Sequence, residues 1–137
     1  MKKLFYMIVL LPAVLLAGLN ITKINNTLSS IKSVHDLKFY NDNKKIDLKS
    51  KLRFTSLPDA NVVIFPTKKV KNKMLIVNSY KELLTNKKSI GAIYLKKGRT
   101  QIIFIKERLA KNDLELPPSF ENNLLSECQI NPYCLLK

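Results

Sequence analysis

Two short apolar runs, Val62-Val63-Ile64-Phe65 and Met74-Leu75-Ile76-Val77, have no polar residue alternating within them. A strand with one face in water alternates apolar with polar; a strand covered on both faces does not. Pro66 closes the first run, and a basic loop over 67–73 separates it from the second. Two such runs require a sheet sandwiched between other layers. The pattern therefore predicts a small single α/β domain with a mixed sheet, a β-hairpin and short helices.

The rest of the C-terminal part fits that frame. Residues 90–95 and 101–105 read as strands joined by Lys96-Lys97-Gly98-Arg99, a hairpin by its spacing and its glycine. Ser79 is placed to cap a helix over 80–84, with Glu82 at the capping-box position. Ser56-Leu57-Pro58-Asp59-Ala60 reads as a short helix start. A helix over 106–111 follows the hairpin, and Ser119 is expected to cap a last helix over 120–128. The core is expected at 62–65, 74–77, 90–94 and 102–104.

Upstream, Ile21, Ile24, Leu28 and Ile31 make one helical stripe. The polar segment 33–50 suggests short strands at 37–40 and 46–48 around the turn Asn41-Asp42-Asn43-Lys44. Leu52 and Phe54 alternate with Arg53 and Thr55, as in a half-buried strand. Residues 19–50 are expected to form a helix and polar spacer ahead of a domain over 51–137, which ends in a helix and a disulfide-closed tail.

At the N-terminus, Lys2 and Lys3 precede a charge-free apolar run over 4–18 that ends in small residues. This is the pattern of a secretory signal over residues 1–18. The run is shorter than the roughly 20 residues of a membrane span, and Pro12 lies inside it. Ala17 suits a cleavage site but Leu15 is bulky, which leaves an uncleaved anchor as the alternative. The expected location is the periplasm, free or tethered.

The formal charge of +14 comes from 21 Lys and three Arg against ten acids. Export and the scarcity of arginine, the residue of base readout and bidentate phosphate binding, argue against nucleic acid as a partner. Solvated lysines are the plain reading; an anionic lipid or wall polymer is the other. Cys128 and Cys134, the only cysteines, flank Asn131-Pro132 and read as a structural disulfide in an oxidising compartment. Their spacing is longer than the Cys-x-x-Cys of redox motifs, and the lone His35 is too remote in sequence to suggest a shared metal site.

No constellation points to catalysis, which leaves an enzyme with an unrecognised site as the last alternative. Ser79 and Ser119 read as helix caps, and Asp59, Glu82, Glu107, Asp113 and Glu115 are scattered singly. No cofactor is expected. The hairpin tip Lys96, Lys97, Gly98 and Arg99 is the candidate for holding a phosphate or headgroup.

Several pieces of the chain follow one another in a known order. Leu57-Pro58-Asp59-Ala60 precedes the run at 62–65, and Leu75-Ile76-Val77 precedes a short helix. Ile90-Gly91-Ala92-Ile93, Gln101-Ile102-Ile103-Phe104, Arg108-Leu109 and Asp113-Leu114-Glu115-Leu116 come next. Over residues 56–120 this order resembles the C-terminal half of the YfiR family of periplasmic proteins. The resemblance implies a non-enzymatic regulator that binds the periplasmic part of an inner-membrane signalling enzyme, often one that makes a cyclic dinucleotide. The family's N-terminal half is shortened here to a polar stretch. Its cysteine pairs have no counterpart beyond the tail pair.

Overall fold

The structure, a computed structural model, describes residues 18–48, 52–131 and 134. The apolar run over 4–18, expected to be a signal, therefore lies outside the described residues, apart from Gly18. Among the described residues no helix is long and apolar enough to cross a membrane.

The chain forms an α/β domain around a mixed six-stranded sheet. Strands β2 (Phe39–Asn41), β3 (Val62–Ile64), β4 (Met74–Val77) and β5 (Ser89–Lys96) run parallel in that order. Strand β6 (Arg99–Ile105) returns antiparallel to β5, and the two-residue β8 (Leu124–Leu125) lies parallel beside β6. A separate antiparallel pair joins β1 (Lys32–Ser33) to β7 (Leu114–Glu115).

The two apolar runs are central strands, as their lack of alternation requires. Val62, Val63 and Ile64 are all fully buried, and Leu75, Ile76 and Val77 nearly so. Val62, Ile64 and Ile76 point into one core with Ile93 and Phe104, while Val63, Leu75 and Val77 point into a second with Ala92 and Ile105. Helix α1 (Ile21–Ser29) and Leu109 of α3 (Lys106–Lys111) cover the first face. Leu83 of α2 (Tyr80–Thr85) and Ile130 of α4 (Glu127–Ile130) pack on the second.

Five expectations change. The helix over 21–29 is part of the domain and not a spacer before it: Ile24 and Leu28 are buried in the first core, and β2 extends the sheet. Residues 46–48 form no strand; Asn41 Nδ2 donates to Ile46 O (2.6 Å), which folds the segment back so that Leu48 reaches the core. The strand expected over 52–55 is one bridge, Phe39 to Phe54. The helix start at 56–60 closes as a single 3-10 turn, Leu57–Asp59. The helix expected over 120–128 is instead a 3-10 segment (Pro118–Asn123), β8 and α4, because the sheet edge at Phe104 and Ile105 recruits Leu124 and Leu125. The cap of α4 is Ser126, in a capping box with Gln129.

The hairpin is tighter than its four-residue spacing suggested. Lys96 pairs with Arg99, leaving Lys97 (φ 52°) and Gly98 (φ 77°) as a two-residue turn. Positive φ at both positions matches the right-handed twist of the strands.

Candidate functional site

The parallel strands β3, β4 and β5 all begin at one end of the molecule, where β6 delivers α3. The segments leading into them, with the end of α3, enclose an open cleft of about 860 Å³. Its lining includes Lys73, Lys87, Lys88, Arg108 and Lys111, against one carboxylate, Asp59. That volume is in the range of small-ligand sites.

Local chemistry sets the walls. The 3-10 turn Leu57–Asp59 leaves carbonyls pointing into the cleft, and Lys73 Nζ donates to Pro58 O (3.2 Å) and Ala60 O (2.6 Å). Ser56 Oγ donates to Asp59 Oδ2 at 3.1 Å. Asn86 Oδ1 accepts from Lys88 N (3.1 Å), an Asx turn that presents Lys87 and Lys88 just before β5. Asn112 Nδ2 donates to Arg108 O (2.7 Å) and ends α3 beside Lys111. Lys87, Lys88 and Lys111 make no ion pair among the described residues.

Arg108, on α3, is a different kind of cation. It is only 6% exposed. Its Nη1 donates to Leu83 O (2.8 Å) and Ser89 O (2.9 Å), tying down the last turn of α2 and the start of β5. Its Nε and Nη2 fork onto Glu127 Oε1 (2.6 Å) and Oε2 (3.3 Å) at the start of α4. A bidentate partner and carbonyl acceptors compensate the buried charge. Its hydrogen bonds are already committed, so it braces the cleft, whereas Lys87, Lys88 and Lys111 are in no ion pair among the described residues.

The candidate hairpin tip lies elsewhere. Lys96, Lys97, Gly98 and Arg99 are all exposed. The length of β5 puts the tip about 23 Å from the cleft, so the two basic groups are separate surfaces. Cys128 and Cys134 are disulfide-bonded, with Cα atoms 5.0 Å apart; they close the tail after Glu127. His35 is exposed in a loop beside a second cleft of about 440 Å³. Its neighbour Asp36 pairs with Arg53. Ser79 caps α2 as expected, accepting from Glu82 N at 3.1 Å, but Ser119 caps nothing and lies inside a 3-10 segment.

Among the described residues no group of His, Cys, Asp or Glu is gathered as a metal site requires. Among the described residues two groups titrate away from their ordinary values, both outside the basic cleft. Asp42 is held low, first by the backbone and hydroxyl of Thr67, each donating to Oδ2 at 2.7 Å, and then by Lys68 and Lys44. Tyr94 is raised by burial and by the nearby Tyr80.

The cleft lysines were read in sequence only as parts of a basic loop and of helix ends. The usable signal was positional: Lys73 and Lys87-Lys88 stand immediately before apolar strands that run parallel. No protein-family model matches the chain, and comparison with curated proteins and with solved structures gives no match.

Proposed function

We propose that the chain is exported to the periplasm and acts there without catalysis, as an interaction module that holds an acidic segment of another envelope protein in its basic cleft. The observation that carries this reading is the set of lysines Lys87, Lys88 and Lys111, gathered on one concave surface with a single carboxylate, Asp59, and in no ion pair among the described residues. Their mutual repulsion is relieved when an anionic segment enters. Lysine is a mobile point charge, suited to an extended acidic strand of no fixed geometry. The apolar run over 4–18 supports export, and the resemblance of residues 56–120 to the YfiR family points to the same kind of role.

The test is crosslinking in intact cells followed by recovery of the full chain from the envelope. The natural chain should bring down a protein partner at low salt. A Lys87→Glu/Lys88→Glu/Lys111→Glu variant, shown by circular dichroism to fold, should not. Binding should also be lost by 0.5 M salt, where the Debye length is about 4 Å. Equal recovery with the variant, or no protein partner at all, refutes the reading.

A further inference from the structure

The chain enters the domain beside the hairpin tip. Asn20 N donates to Thr100 Oγ1 (2.7 Å), and Lys23 Nζ donates to Thr100 O (3.0 Å). Thr100 follows Arg99, so the start of the described chain is pinned to the base of the tip. Gly18 stands two residues before Asn20, within about 7 Å of it along the chain. The described chain thus starts at the end of the molecule that carries Lys96, Lys97 and Arg99, and the apolar run over 4–18 joins it there in sequence. The same end exposes Leu95, which is 45% accessible. Asp42, in the loop after β2 at this end, is already engaged by Thr67 and flanked by Lys44 and Lys68.

From this juxtaposition we propose that the hairpin tip is a membrane-docking face, with Lys96, Lys97 and Arg99 resting on anionic phospholipid headgroups. The domain hangs from the bilayer by this end whenever the leader is in it, which brings the tip within a Debye length of the surface. A lysine or arginine that close to an anionic leaflet is worth roughly fivefold in partitioning. The two-residue turn gives the basic side chains a rigid mount, and Leu95 supplies an apolar contact. Docking this way leaves the cleft at the far end of β5, open to the periplasm. This face is independent of the partner reading given for the cleft.

The full chain, carrying a single engineered thiol at Lys97→Cys or at Lys88→Cys, is labelled with a fluorophore. It is mixed with phosphatidylcholine vesicles that hold a headgroup quencher, with or without phosphatidylglycerol. The label at 97 should be quenched several-fold more than the label at 88, and only when phosphatidylglycerol is present. Adding Lys96→Glu/Arg99→Glu should abolish that difference, while the charge-matched Lys87→Glu/Lys111→Glu should leave it intact. Equal quenching at the two positions overturns the proposal. So does quenching indifferent to the anionic lipid, or equal loss on reversing the cleft lysines, which reduces the effect to net charge.

Discussion

Gly91 has no room for a methyl group. A Cβ built there meets Phe104 Cδ1 at 2.6 Å and Ile103 O at 2.7 Å, and it sits where the register between β4 and β5 slips by one residue. Backbone cannot yield as a flexible side chain does, so Gly91→Ala should cost about 1–3 kcal/mol in urea unfolding. Arg108 is the other position where one atom group decides much. Lysine cannot fork onto Glu127 while also reaching Leu83 O and Ser89 O. Arg108→Lys should therefore destabilise by about 2–3 kcal/mol in the same assay, and a circular dichroism spectrum close to the natural one would show that the fold survives. Asp42 gives a pH signature. Its folded-state pKa is depressed, so its contribution is complete above the unfolded value near 3.9 and is lost as pH falls through the folded value. Between pH 5 and pH 3, Asp42→Asn should lose less stability than the natural chain. None of these roles was legible from residue type alone. The acceptors of Arg108 lie 19 to 25 residues away and are mostly main-chain carbonyls, which leave no mark in a sequence.

Elements were legible where burial imposes a pattern. The uniform runs at 62–64 and 74–77, the hairpin with its glycine and the Ser79 cap each follow from local chemistry. Short elements were not. A two-residue strand such as β8 has no periodicity to read, and the pair Leu124-Leu125 fits a helix stripe as well as a sheet edge. Pairing with Phe104 and Ile105 decides it, and that contact is tertiary. Helix α4 shows the same dependence. At four residues it is too short to stand alone; its capping box, the fork from Arg108 and the Cys128–Cys134 bond hold it. Reduction with a dithiol, or Cys128→Ser/Cys134→Ser, should lower stability by about 2–3 kcal/mol in the chain-entropy account. Differential scanning calorimetry checks this, and an unchanged midpoint would show that the bond adds nothing to the fold.

For the molecule as a whole, the main misreading was to set residues 19–50 apart from the domain. The stripe was legible, but the polar residues around it gave no sign that Ile24 and Leu28 are fully enclosed by the sheet's first face. Burying a side chain of this size contributes about 1.5–3 kcal/mol, and domains of this length are marginal to begin with. A chain beginning at residue 32 should therefore lose its cooperative thermal transition, whereas one beginning at residue 18 should keep it. The charge distribution was equally hidden. A total of +14 says nothing of where the lysines gather, and only the shared direction of β3, β4 and β5 brings those of the cleft together.

The fork between Arg108 and Glu127 also orders events in time. A chain that leaves the ribosome or crosses a membrane amino end first delivers β2 to β6, and then the guanidinium, before the carboxylate that matches it. Until Glu127 follows, 19 residues later, the cation has carbonyl acceptors but no opposite charge, and α3 lacks its tie to α4. The tail is thus the latch of the fold: a molecule stalled short of residue 127 holds a buried guanidinium without its carboxylate, beside the basic cleft.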